Sequence, residues 1–173
     1  LLFGAMGLGA AWGWERLTDP SVLPLRVVHI EGELRYLPLP VLERPAGTVR
    51  KGAYVLRDGS DAVLIATGSE VWVALEAARL LEEQGRSVRV VSMPSWELFE
   101  AQPADYRQQV LPPRVKAKVA VEAGSPQGWH RYVGDAGQVV GLNHFGASAP
   151  AQTLSEKFGL TAERVVEKAL ECV

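Results

Sequence analysis

Two short segments hold the residue types that could do chemistry in this chain. Thr67-Gly68-Ser69-Glu70 joins the apolar run Ala62-Val-Leu-Ile-Ala66 to a stretch of helical spacing. Free backbone N–H groups at such a helix start can bind an anion. One glycine is far short of Gly-x-Gly-x-x-Gly, however, and the Glu70 carboxylate opposes a phosphate. The sequence therefore favours a structural turn with Ser69 as N-cap. Glu122-Ala123-Gly124 follows a second apolar run, at the kind of strand end where ligand clefts open. Glu122 has two readings there. It is a general acid or base, or, more commonly, a carboxylate that caps a helix or pairs with an arginine.

The remaining reactive side chains are scattered. His29, His130 and His144 are the three histidines, and none stands at ligand spacing from another His, Cys or carboxylate pair. Metal ligation is not expected, and His130, next to Trp129, reads as a surface residue. Cys172 is the single cysteine. It has no internal disulfide partner, which points to a reducing compartment and the cytoplasm. No base is supplied to make it a nucleophile, so it reads as a small apolar residue of a frayed terminus. Trp72, Trp96 and Trp129 lie in or beside helical stretches and read as packing residues, with subunit-interface anchoring as the alternative. No catalytic, cofactor-binding or metal-binding residue is assigned, and the substrate-binding residues are unknown.

The elements around these segments follow from periodicity. Residues 62–66 are apolar without a break, as expected of a strand buried on both faces. Residues 52–57 form a short strand before an Asp58-Gly59 turn, and residues 88–92, 117–121 and 139–142 form further strands. A helix over 70–84 places Val71, Ala74, Leu75, Ala78 and Leu81 on one face. Arg79 precedes Glu82 and Glu83 by three and four residues, and Gly85 is a suitable C′ residue. Residues 95–99 and 105–110 read as short helical turns, 128–133 as a helix, and 161–172 as a closing helix with Val165, Val166, Ala169 and Leu170 inward. Strands alternating with helices imply an α/β fold, a mainly parallel sheet with helices on both faces and an antiparallel edge strand at 52–57.

Residues 1–44 show no such period. They offer a turn at Thr18-Asp19-Pro20, a strand at 25–30 and an extended stretch at 37–42 shaped by Pro38 and Pro40. Pro45-Ala46-Gly47-Thr48 reads as a linker. The expected division is therefore a divergent segment over 1–44 and a domain over 45–173. Residues 1–11 are apolar but too short to span a bilayer and lack a preceding basic region. An apolar start without an initiating Met is expected of a piece cut from something longer. The net charge of -2 leaves no basic excess for a phosphate backbone, so neither nucleic acid nor membrane is an expected partner.

A series of blocks carries a resemblance. They are Lys51-Gly-Ala-Tyr-Val-Leu56, Ile65-Ala-Thr-Gly-Ser-Glu-Val71, Val90-Val-Ser-Met-Pro-Ser95, then Phe99, Gln102 and Tyr106-Arg107, and Val110-Leu-Pro112. Val119-Ala-Val-Glu-Ala-Gly124, Trp129, Tyr132-Val-Gly134, Phe145-Gly-Ala-Ser-Ala-Pro150, Phe158-Gly159, Thr161 and Val165 follow in order. Over residues 51–173 the chain resembles the C-terminal domain of transketolase. Two of the blocks, Tyr106-Arg107-x-x-Val110-Leu-Pro112 and Phe145-Gly-x-Ser148-Ala-Pro150, separate it from deoxyxylulose-phosphate synthase and the beta chains of 2-oxo acid dehydrogenases. Residues 1–38 depart from the family pattern. Where the family carries a phosphate-contacting Arg, this chain has Tyr36, with Arg35 one residue off register, so that role is not transferred to Arg35.

The resemblance implies a three-domain homodimer that moves a two-carbon ketol unit between sugar phosphates, using thiamine diphosphate and magnesium bound by other domains. The Gly-Asp-Gly motif that holds this cofactor through magnesium does not occur here, so neither is expected to bind this chain. The domain's implied role is structural, docking against its neighbours and supporting the dimer. Residues 1–11, the loop at 145–150, Trp129 and Tyr132 are the candidate contact surfaces, their burial in the domain's own core being the alternative. Two other readings stay open. One is an independent module binding a small anion or nucleotide near Gly68, Pro94 and Gly124; the other is a subunit of a split transketolase.

Overall fold

The computed structural model describes residues 46–172. Expectations that fall on residues 1–45, including His29, Arg35, Tyr36 and the apolar start, lie outside the described residues. Five strands form one sheet in the order β1-β3-β2-β4-β5: β1 Tyr54–Arg57, β2 Ala62–Ala66, β3 Val88–Ser92, β4 Lys118–Val121 and β5 Gln138–Val140. β2 to β5 are parallel and β1 is antiparallel to β3 at the edge, as the alternation of elements requires. β2, β3 and β4 are buried along their whole length.

Seven helices complete the described chain: α1 Ala46–Val49, α2 Glu70–Glu83, α3 Trp96–Glu100, α4 Ala104–Val110, α5 His130–Val133, α6 Ala151–Phe158 and α7 Ala162–Glu171. The alternation of side chains along each strand divides the core in two. Leu64, Val90, Val119 and Val121 meet Ala74, Ala78 and Leu81 of α2 and Val165 and Ala169 of α7. Val63, Ile65, Val91 and Ala120 face the other way, against Phe99 of α3, Val110 of α4 and Trp129, Tyr132 and Val133 at α5. Alanine dominates the buried stripe of α2, which lets that helix lie close on the sheet.

Caps and turns fix where the elements stop. Gly85 at φ 79° ends α2, with Gly85 N–H donating to the Glu82 carbonyl at 2.9 Å and Arg86 N–H to Leu81 at 3.0 Å. This is the paired bonding of a Schellman motif. Ser95 caps α3 by accepting from Leu98 N–H at 3.2 Å, and Thr161 caps α7 by accepting from Arg164 N–H at 3.3 Å. At Gly52, with φ 80°, a Cβ would stand 2.2 Å from the Phe99 backbone nitrogen. Only glycine fits where the chain enters β1 against α3.

Five local expectations need correction. Residues 46–49 are helical rather than linker. α6 is an element the periodicity above does not predict: none of its residues is fully buried, and its apolar spacing is short, Ala151, Leu154 and Phe158, with Phe158 packed at the edge of the core. Leu170 is 39% exposed, about a quarter-turn from the centre of the buried stripe of α7. Arg79 pairs with Glu76 and Glu83 rather than Glu82, because Arg57 of β1 takes Glu82. Ser69 sits at the start of α2 without capping it, because its backbone is already helical and its hydroxyl donates to Glu70 Oε1 at 2.8 Å.

Candidate functional site

In the sheet order, β3 and β4 lie on opposite sides of β2. The chain leaves β2 for α2 on one face and leaves β4 for α5 on the other. A crevice beyond the carboxyl ends of β2 and β4 is where open α/β sheets bind ligands. The two segments singled out in the sequence, Thr67-Gly68-Ser69-Glu70 and Glu122-Ala123-Gly124, both fall there.

These strand ends are acidic, with Glu70 and Glu122 close enough to interact. Burial pushes the Glu122 carboxyl above its ordinary range, the Glu70 carboxylate pushes it further, and a hydrogen bond from Trp129 works against both. Trp129, at the start of α5, is 1% exposed and belongs to the core. The backbone is engaged as well. Glu122 N–H donates to Val140 at 3.0 Å, and Leu142 N–H donates to Gly124 at 2.7 Å. At the start of α2, Glu70 N–H donates to Thr67 and Trp72 N–H to Ser69, each at 3.2 Å. Two of the donors an anion would use are thus taken, and two carboxylates stand nearby. This arrangement opposes an anion, with the Glu122 carboxyl lying beside Glu70 and Trp129.

The other candidates resolve in the same direction. His130 is exposed, as expected of a surface residue. His144 is exposed and its ring lies 4.7 Å from that of Phe158. Cys172 packs against the α2/α7 side of the core and donates to the Lys168 carbonyl at 3.2 Å. Burial, then the Glu171 carboxylate, raises its thiol above the usual range, so it is not activated as a nucleophile. Among the described residues, no group of three or more His, Cys, Asp or Glu side chains could hold a metal ion. No helix among them is long and apolar enough to cross a membrane.

Trp96, Trp129 and Tyr132 cluster, with ring centroids 5.1 Å apart for Trp96–Trp129 and 6.1 Å for Trp129–Tyr132. Tyr132 is 8% exposed. Trp129 and Tyr132 therefore fill the domain's own core, and the expectation that they anchor an interface is corrected. The loop over 143–150 differs: every residue in it is exposed, and Phe145 is 98% exposed.

Comparison with known proteins agrees with this framework of buried motif residues. The family described as the transketolase-like C-terminal domain matches residues 52–161. The chain belongs to the transketolase C-terminal domain family. The transketolase of Aquifex aeolicus (strain VF5) is 45% identical over 163 residues, covering 92% of this chain and 24% of the relative. A transketolase structure from Leishmania mexicana superposes with a TM-score of 0.67 at 48% identity, over 73% of this chain and 18% of that one. A structure titled as a split gene transketolase, inactive beta4 tetramer, superposes with a TM-score of 0.57 at 29% identity, over 69% of this chain and 41% of that one. The chain thus spans about a quarter of the length of the curated transketolases it matches. The family's fold, a five-stranded and mostly parallel sheet with helices on both faces, is the one observed.

Proposed function

We propose that this chain supplies the C-terminal domain of an enzyme that transfers a two-carbon ketol unit between sugar phosphates, and that it serves there as a docking module supporting a homodimer. The carrying observation is the loop over 143–150, whose Phe145 side chain is 98% exposed. A large apolar residue on a wholly exposed loop gains by being covered, and interfaces draw on such residues. The named activity of the relatives gives the reaction class. In this reading thiamine diphosphate supplies the electron sink in the complete enzyme, and magnesium holds it. Among the described residues no cluster of His, Cys, Asp or Glu could hold the magnesium. No step of the reaction is therefore assigned to them, and the chain alone is inactive.

The domain runs over 45–173, and residues 1–44 are a remnant of the preceding domain or a linker. The match to the Aquifex relative covers 92% of the chain, more than the three quarters that residues 45–173 make up. Similarity therefore reaches into 1–44, which supports that reading. A reducing, cytoplasmic setting accords with a single cysteine and no disulfide.

The decisive test mixes this chain with the separately produced first two domains of its Aquifex relative, thiamine diphosphate and magnesium. Ketol transfer is expected only in the mixture, and Phe145→Ser should lower it. Transfer by the chain alone, or no transfer in any mixture, would count against the docking role. The split gene neighbour supports a second reading, in which the partner domains come from a separate polypeptide. Copurification of this chain with such a polypeptide from its natural source separates the two.

A further inference from the structure

One row of the sheet carries two buried cations, one on either side of a valine. Val63 in β2 is paired with Arg89 of β3 on one side and with Lys118 of β4 on the other. Both cations are 8% exposed. Both lie on the face covered by α3, α4 and α5, because they share the alternation that turns Val91 and Ala120 that way. Their surroundings differ. The Arg89 guanidinium meets Asp58 Oδ1, with Nε at 3.0 Å, and also donates to the Gln109 and Val110 carbonyls at the end of α4. Lys118 Nζ donates to the Val115 carbonyl, and among the described residues it has no carboxylate partner.

Lys118 lines a cavity of about 380 Å³ at the amino end of β4, the opposite end of that strand from the acidic crevice. Two more cations line it, Arg107 of α4 and Arg131 of α5, against one carboxylate, Glu100. That carboxylate is already engaged: its Oε1 accepts from Arg131 Nη1 at 2.5 Å and from the Tyr132 hydroxyl at 2.7 Å. Among the described residues, Arg107 makes no side-chain hydrogen bond or ion pair. The walls therefore carry an excess of two positive charges, and Phe99 and Leu111 supply an apolar side.

An ammonium removed from water without a counter-charge is unfavourable. Burial, then the neighbouring Lys116, holds the Lys118 ammonium below the usual lysine range. An anion in the cavity would relieve that penalty. Guanidinium groups present a planar fork of donors that matches phosphate oxygens, and a cavity of this size holds a small organic molecule.

We propose that the cavity between α3, α4, α5 and the start of β4 binds a small phosphate-bearing molecule, with Lys118, Arg107 and Arg131 meeting the phosphate and Phe99 and Leu111 its organic body. This assignment stands apart from the docking role, since it rests on side chains that the exposed loop does not include.

Thermal unfolding of the full chain tests it, using inorganic phosphate and glycerol phosphate against chloride at equal ionic strength. Both phosphates should raise the melting temperature saturably, as ligand linkage requires. Glycerol phosphate should saturate at the lower concentration. Arg107→Ala, at an exposed position that leaves the core intact, should weaken phosphate binding about tenfold through loss of a charge-assisted contact. Arg164→Ala, on the exposed side of α7, should leave it unchanged. Lys118→Met should abolish the response, and amide chemical shifts at 107, 118 and 131 should move on titration whichever variant folds best. A rise that does not saturate in the millimolar range would overturn the assignment. So would equal binding by Arg107→Ala, or tighter binding of succinate than of either phosphate.

Discussion

The Tyr106 hydroxyl donates to the Ala53 carbonyl at 2.8 Å, across 53 positions of sequence. This bond ties α4 to the residue that leads into β1, where Ala53 is fully buried. Burial raises the Tyr106 hydroxyl above its usual range, which keeps it a donor. The Lys51 ammonium lies 4.3 Å above the same ring. Tyr106→Phe removes the donor and leaves a buried carbonyl unpaired, so it should cost about 1–3 kcal/mol. Urea melts of the two proteins measure it, and superimposable curves would show that the bond carries no net stability.

Ile65 stands in β2, fully buried, with β3 and β4 bonded on either side. Ile65→Ala should destabilise by about 2–5 kcal/mol through lost burial and a residual cavity. Equilibrium unfolding in urea gives the difference. A loss below about half a kcal/mol would contradict central placement of the strand.

Glu122 offers a pH-dependent test. Its carboxyl is raised by burial and by Glu70, so the folded state is stabilised fully only below the unfolded carboxyl's range. That stability is lost as pH rises through the folded value. Glu122→Gln keeps an acceptor for Trp129 and removes the charge. The variant should therefore be more stable than the parent at neutral pH, and the gap should close on acidification below the ordinary glutamate range. A gap independent of pH would place the effect in packing rather than ionisation.

Phe145 predicts association. With 98% of its surface exposed, it should promote self-association of the chain when other domains are absent, and Phe145→Ser should shift the average mass toward monomer. Light scattering over a concentration series measures this, alongside a shortened chain that begins at Pro45. Monomers throughout at tens of micromolar would remove support for a docking loop. Association of the longer chain alone would trace it to residues 1–44.

Much of the fold was legible because its signals are local. The unbroken apolar run at 62–66 became a strand buried on both faces, since no polar face was left to turn outward, whereas 88–92 is buried along its length although it carries Arg89 and Ser92. Gly85 marked the end of α2 because an αL cap asks for glycine. α6 is the weakest signal: its eight residues include none that is fully buried, and Ala151, Leu154 and Phe158 give only a short apolar spacing, with Phe158 at the edge of the core. The candidate crevice was half legible: strand ends locate it, and Glu70 already spoke against a phosphate, whereas the place of Glu122 beside Glu70 and Trp129 depends on how distant segments pack. Trp129 and Tyr132 were ambiguous in sequence, because a large aromatic ring reads alike whether it fills a core or an interface.

The sequence by itself determined the alternation of strands and helices, and with it a mostly parallel sheet and membership of the transketolase C-terminal domain family. Each of these rests on short-range periodicity and on motif order along the chain. Tertiary structure alone decided which charges meet. Glu82 turned to Arg57 across 25 positions rather than to Arg79 three residues away. Arg89 found Asp58, while Lys118, in the same row of the sheet, faced a cavity beside Arg107 and Arg131. Strand order brings those side chains together, and strand order depends on how distant segments pack, which no local pattern encodes.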